Sequence, residues 1–200
     1  MVKFNKKIFL SAIIILAIIT SVIIYLFKPQ GDDFSIEKLL SIISAVISIN
    51  TLIWGLFCKW LWKSCIFYNW FVLSPDLSGN WNCKLTPNCK EKKSETIPAN
   101  IKIKQSFFSI QIEIKTEESA SVSISASFDI DKELGHQRLI YSFMNTPKMD
   151  VRRNSPMHYG STILEFDGYR VDKMEGQYWT DRETTGIISL ERVVVVKSEE

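Results

Sequence analysis

Two uninterrupted apolar stretches, Ile8–Phe27 and Leu39–Phe57, open this chain of 200 residues. The first carries no charged side chain at all. A helix of that length, at about 1.5 Å per residue, measures roughly 30 Å, the thickness of a bilayer's hydrocarbon core. The second is similar, with Asn50 and a few Ser and Thr as its polar interruptions. A cleavable signal peptide is the alternative for the first stretch, because Lys3, Lys6 and Lys7 resemble a basic leader. Such leaders carry an apolar region of about 7–15 residues ending in a small-x-small site. This stretch is longer and ends in Tyr25-Leu26-Phe27-Lys28-Pro29. A helical hairpin, with spans near residues 8–27 and 39–58, accounts for both stretches and assigns residues 1–75 to a membrane anchor.

Lys3, Lys6 and Lys7 flank one end of the hairpin and Lys59 and Lys63 the other, while the loop between carries Asp32, Asp33 and Glu37. Basic residues favour the cytoplasmic side, so both ends are expected there, with the rest of the chain in the cytosol. Trp54, Trp60, Trp62 and Trp70 fit an interfacial belt. The second helix is expected to continue along the interface through Phe71, until Ser74-Pro75-Asp76 breaks it. Ser41, Ser44, Ala45 and Ser48 form a small-residue stripe, a candidate helix-association face. Asn50 either lines a path or bonds to its neighbour helix.

Residues 76–200 hold 17 Lys and Arg against 19 Asp and Glu, a net of −2. That balance excludes a sustained basic groove for long nucleic acid, though one or two arginines suffice for a small anion. Cys58, Cys65, Cys83 and Cys89 match no zinc spacing, and a cytosolic setting argues against disulfides, so structural thiols are expected. His136 and His158 are too few for a histidine-based metal site. No phosphate-binding loop, nucleophile elbow, zinc-protease helix or dinucleotide fingerprint occurs. The expectation is a protein that is not an enzyme, with no catalytic residues, no metal and no cofactor.

After Asp76 the pattern alternates apolar and polar, as in Ile101, Ile103, Gln105 and in Ile110, Ile112, Ile114. A two-residue period rich in β-branched residues marks half-buried strands. Eight are expected: Gly79–Leu85, Ile97–Gln105, Phe107–Thr116, Ala120–Ile130, His136–Thr146, Tyr159–Asp167, Tyr169–Thr180 and Thr185–Val195. Most connections are short. Two are longer, the lysine-rich Thr86–Thr96 and Pro147–Met157, which holds Arg152 and Arg153. The fold class is all-β: a closed antiparallel eight-stranded β-barrel over residues 76–200, preceded by the two-helix hairpin. Closure removes unpaired edges, and eight strands enclose room for side chains or for one small ligand.

Gly176, Tyr178 and Thr180 share one strand face, with Arg182 next in parity; Tyr141, Phe143 and Asn145 share another. Aromatic faces, hydroxyl and amide groups and a guanidinium fork suit a planar, anionic ligand such as a nucleotide. Two readings stay open here. Tyr141 and Tyr178 are either pocket walls or barrel core, and Arg182 is either a ligand contact or a hairpin charge paired with Asp181 or Glu183.

The order of features, however, resembles a family. Leu77-Ser78-Gly79-Asn80-Trp81 opens the first strand after two spans; Ile103-Lys104-Gln105, Tyr141-x-Phe143-x-Asn145-x-Pro147, His158-x-Gly160 and Gly176-x-Tyr178-x-Thr180-x-Arg182-x-Thr184-x-Gly186 follow. Together they resemble the two-transmembrane, β-strand-rich membrane effectors associated with CD-NTases in cyclic-oligonucleotide-based antiphage signalling (CBASS). The resemblance implies a barrel that binds a cyclic dinucleotide made by a partner nucleotidyltransferase, the CD-NTase, on phage infection. It implies ligand-induced homo-oligomerisation among membrane lipids, inner-membrane disruption and cell death as abortive infection. It places Tyr141, Asn145, His158, Tyr178, Thr180, Arg182 and Thr184 at or near the pocket, with Arg182 on phosphate. The rival expectations are a membrane-tethered lipocalin-like binder of a small apolar ligand, which needs an apolar interior throughout, and a partner-binding module with a filled barrel.

Overall fold

The computed structural model describes residues 2–27, 35–88, 95–153 and 155–193. The chain divides into two compact units, Phe4–Leu73 and the combination of Met1–Lys3 with Ser74–Glu200.

The first unit is the hairpin. Helix α1 (Lys6–Leu26) is capped by Asn5, whose Oδ1 accepts the Lys7 and Ile8 N–H groups at 3.1 and 3.3 Å. Helix α2 (Ile36–Lys59) is capped by Ser35, whose Oγ accepts the Lys38 N–H at 3.3 Å. Both helices are long and apolar enough to cross a membrane. Leu10, Ile14, Ile18 and Val22 on α1, and Leu40, Ile47 and Leu52 on α2, are each at least half exposed. A continuous apolar surface of that kind is at home against lipid. On α2 the less exposed positions include Ile42, Val46, Asn50, Trp54 and Phe57, one stripe at helical spacing; of the expected small-residue stripe, Ala45 is half-buried, whereas Ser41, Ser44 and Ser48 are exposed.

The expected interfacial helix through Phe71 does not form. α2 stops at Lys59, and two short 3₁₀ turns follow, Leu61–Lys63 and Cys65–Phe67. Packing explains the break. Phe57, Phe67 and Phe71 gather with ring centroids 5.2–6.2 Å apart, so the chain must double back, and Asn69 makes the bend at φ 72°. The doubled-back chain then ties to the start of α1, where the Asn5 N–H donates to Phe71 O at 3.0 Å.

The second unit is a closed barrel, β1 (Gly79–Pro87), β2 (Ile97–Gln105), β3 (Ile110–Lys115), β4 (Ser119–Asp131), β5 (His136–Pro147), β6 (His158–Glu165), β7 (Lys173–Thr180) and β8 (Thr185–Arg192). Each strand pairs antiparallel with the next, and β8 closes onto β1. Two strands start later than their apolar pattern suggests. Phe107 lies in a turn, where the Ser109 N–H donates to Ser106 Oγ at 3.0 Å and the Ser106 N–H to Ser109 O at 2.8 Å. Before β7, Gly168 turns the chain at φ +75° and Phe166 and Val171 fold into the core. The last strand ends at Arg192, one residue short of the described Val193, and the rest of its expected continuation to Val195 lies outside the described residues.

The barrel end at which β1 begins is sealed. Leu77, Trp81, Phe107, Leu139, Leu164, Met174 and Leu190 are all essentially inaccessible there. Trp81 Nε1 donates to Leu77 O at 3.1 Å, so even the indole N–H is satisfied. Arg192 stacks over the Trp81 ring at 4.3 Å and donates to three carbonyls: Val171 O and Ser78 O at 2.9 Å, and Asp76 O at 3.1 Å. Gln105 holds the entering chain through Pro75 O and the Leu77 N–H. Val2 is buried against this unit, its N–H donating to Phe107 O at 3.1 Å, while Lys3 reaches Ser74 Oγ and Ile130 O.

Candidate ligand-binding site

Toward the opposite end the same strands enclose a cavity of about 580 Å³. That volume lies in the range of small-molecule sites, about 300–1,000 Å³. Antiparallel register assembles its wall. Asn145 of β5 pairs with His158 of β6, Thr162 of β6 with Tyr178 of β7, and Tyr178 with Gly186 of β8. Neighbouring inward positions therefore present an amide, an imidazole, a hydroxyl and a phenol side by side.

Six of the seven expected residues, Asn145, His158, Tyr178, Thr180, Arg182 and Thr184, line this cavity. Tyr141 does not. It lies two inward positions before Asn145 on β5, paired with the lining Thr162, and is 1% exposed, as part of the floor. Burial pushes its phenol above the ordinary tyrosine range, and the Thr162 hydroxyl opposite offsets only part of that. Tyr141 Oη finds no partner of good hydrogen-bond geometry. Cys83, also on the inner wall, has its thiol pushed up to about 12 by burial, so it stays protonated and unreactive at neutral pH. Cys89 lies outside the described residues.

Asn145 is held by two serines that the sequence reading passed over. Its Nδ2 donates to Ser119 Oγ at 3.1 Å and to Ser121 Oγ at 2.9 Å, while Oδ1 has no protein partner. The two serines fix the amide against the cavity wall, and a hydroxyl pair of this kind holds an amide by donating as well as by accepting. His158 Nδ1 lies 3.1 Å from Pro156 O. A carbonyl only accepts, so Nδ1 carries the proton in the neutral ring.

Tyr178 owes its position to glycine. A Cβ at Gly186 would stand 2.5–2.6 Å from the Tyr178 ring and hydroxyl, so the bare backbone lets the ring lie against β8. Gly160 does the same for Phe143, whose Cζ would meet a Cβ at 2.5 Å.

The ion pair from Arg182 to Asp181 or Glu183 does not form. Its Nη1 donates to Ser155 Oγ at 3.0 Å, and Asp181 Oδ2 instead accepts the Tyr159 N–H at 3.2 Å. Arg182 thus stands at the cavity edge with most of its donors uncommitted. Arg152 folds back onto Pro147 O, and Val151 and Ser155, rather than the two arginines, bring the β5–β6 loop to the lining. Glu95, Glu117 and Glu118 also line the mouth. The cavity is therefore two-sided in charge, with Arg182 on the β7–β8 turn and three carboxylates on the β1–β2 and β3–β4 connections. Those glutamates sit in loops with no periodic pattern, and the only signal for them was their place at the open end.

Comparison with known proteins bears on this cavity. Residues 72–192 match the family model described as Cap15, cyclic dinucleotide receptor domain. A relative named CD-NTase-associated protein 15 from Staphylococcus schleiferi is 30% identical over 154 residues, covering 77% of this chain and 80% of the relative. Proteins of the same name from Yersinia aleksiciae and Escherichia albertii are 29% and 27% identical, covering 74% and 88% of this chain and 71% and 91% of their own lengths.

Proposed function

The chain belongs to the Cap15 cyclic dinucleotide receptor family, and from that premise we propose a membrane-anchored antiphage effector whose barrel captures a cyclic dinucleotide. Capture drives copies to assemble in the inner membrane, and the assembled hairpins breach it, so that the infected cell dies. The ligand comes from a partner cyclic nucleotide synthase, a CD-NTase, and the protein acts by binding rather than by catalysis.

One observation carries the ligand class: the cavity has an arginine with free donors on one side and glutamate carboxylates on the other. A cyclic dinucleotide offers two phosphates and two bases. Arg182 takes a phosphate as a charge-assisted fork, with His158 beside it. Tyr178 offers a flat face for a base. Thr180, Thr184 and the mouth carboxylates accept from base N–H edges, Asn145 shapes the wall, and the carboxylates repel a phosphate on the wrong side. A lipocalin-like carrier of an apolar molecule gains nothing from such a lining. Tyr141 acts as floor, setting how deep the ligand sits.

Topology agrees with a two-span anchor. Val2 and Lys3 bind the barrel unit, which supports a start of the chain and a barrel on one side of the membrane, as two crossings give. The basic flanks make that side cytoplasmic. Ligand acts on assembly only through a difference in affinity between the dispersed and assembled states.

The test is co-expression with a cyclic dinucleotide synthase in bacteria while dye entry is followed. Wild-type protein is expected to admit dye only when the synthase is active, and Arg182→Ala is expected not to. Dye entry that ignores synthase activity contradicts the proposal.

A further inference from the structure

The hairpin contains one polar contact between its helices that the hydrocarbon setting makes costly to leave incomplete. Asn50 Nδ2 donates to Thr20 Oγ1 across the helix pair at 3.0 Å and to Val46 O on its own helix at 2.8 Å. Val46 O only accepts, which fixes the nitrogen as the atom facing it. Both amide N–H groups are thereby used, while Asn50 Oδ1 is buried with no protein partner. Thr20 is the one buried residue of α1, and its hydroxyl proton is committed to Leu16 O at 2.9 Å or Ala17 O at 3.1 Å. It therefore cannot also donate back to Asn50. Asn50 lies about 21 Å from the start of α2 and about 13 Å from its end, at 1.5 Å per residue, deep within the span. Water does not readily reach that depth, so an empty carbonyl acceptor there is held at a cost.

A pair of such amides from two chains has no deficit of this kind. Each carboxamide gives one N–H to the other's oxygen, and both acceptors are filled. We infer that Asn50 is an exchange site between the closed hairpin and a second copy of this chain: Thr20 occupies it in the dispersed state, and Asn50 of the second copy replaces Thr20 in the assembled state. The exchange is close to balanced, because interhelical polar bonds in membranes contribute modestly. Near balance suits an element that a remote event must tip. The inference rests on the assembling membrane effector proposed above.

The sharpest consequence runs against a purely structural role for Thr20. Removing its hydroxyl as Thr20→Val frees Asn50 for a second copy, and so raises association instead of weakening the protein. The experiment uses the full chain, labelled in two colours and reconstituted in phospholipid vesicles without any nucleotide, with energy transfer read against lipid dilution. Thr20→Val, and Thr20→Ala as a second variant lacking the acceptor, are expected to raise the association constant about fivefold, the equivalent of one such bond. Thr20→Ser keeps the acceptor and is expected to match wild type. In the Thr20→Val background Asn50→Leu is expected to cancel the gain, and Asn50→Gln, which retains the carboxamide, to preserve it. Association of both Thr20 variants at or below wild type overturns the inference, as does a double variant with Asn50→Leu that associates as strongly as Thr20→Val alone. A wild-type chain that fails to insert into the vesicles contradicts the membrane reading itself, whereas inserted variants that do not differ contradict this inference alone.

Discussion

Two arginines at opposite ends of one barrel make the clearest contrast in the molecule. Arg192 gives Nε, Nη1 and Nη2 to three backbone carbonyls and lays its plane on Trp81. Arg182 gives one Nη1 bond to a serine hydroxyl and stands exposed at the cavity edge. The surroundings differ in the same way. Around Arg192 the interior is filled by Leu77, Phe107 and Met174, and around Arg182 it is open and lined by hydroxyls, an amide and an imidazole. An arginine with its donors spent locks a fold, and one with donors to spare is available to an anion. The barrel is thus a sealed base beneath an open cup, and the floor between them runs through Tyr141 and Cys83.

The contrast breaks most severely at Gly176, where a Cβ would overlap Ile163 O of the neighbouring strand. Backbone cannot yield as a side chain can, so Gly176→Ala is expected to cost about 3 kcal/mol or more and to unfold much of the population, read by thermal melting. Arg192→Ala comes next. Loss of three part-buried bonds to carbonyls and of the stacked plane is expected to cost about 2–4 kcal/mol, while the surviving folded protein binds ligand as before. Arg182→Ala is its mirror image. Melting is expected to move by less than about 0.5 kcal/mol, and affinity for cyclic dinucleotide to fall about tenfold to a hundredfold.

Gly186→Ala sharpens the comparison at smaller scale. The added methyl meets the far end of the Tyr178 ring, which can swing, so the ring is expected to enter the cup and lower affinity about threefold to tenfold with little change in melting. The smallest effect belongs to Asp131, the last residue of β4. Backbone N–H groups of Leu134 and Glu133 hold its carboxyl below the ordinary range. A depressed carboxyl stabilises the fold above its unfolded value and loses that contribution as pH falls through its folded value. Asp131→Asn is therefore expected to flatten the acid limb of the stability profile slightly and to leave binding unchanged.

Much of this was legible in the residues. The two long apolar helices follow from uninterrupted apolar length, and the eight strands from alternation, because each strand has one face in the barrel and one in water. Parity also put Tyr178, Thr180 and Asn145 on inward faces. Parity alone did not separate cup from base. Tyr141 and Asn145 share a face of β5, yet one is floor and the other wall, since depth depends on how β5 registers against β4 and β6. Ser119 and Ser121 became visible as supports of Asn145 only once that register was known. Arg182 and Arg192 look alike in sequence, and only the carbonyls converging on Arg192 tell them apart. The end of α2 at Lys59 was hidden for a similar reason, because Phe67 and Phe71 pack onto Phe57 through space.

Titration calorimetry of the full chain in detergent, against a panel of cyclic dinucleotides, tests the cup most directly. Saturable binding of one ligand per barrel is expected, weakened at least about tenfold by Arg182→Ala and unaltered by Arg192→Ala in its folded fraction. Binding that is absent across the panel at high micromolar ligand, or equally strong in wild type and Arg182→Ala, would contradict the assignment of the open end as the nucleotide site.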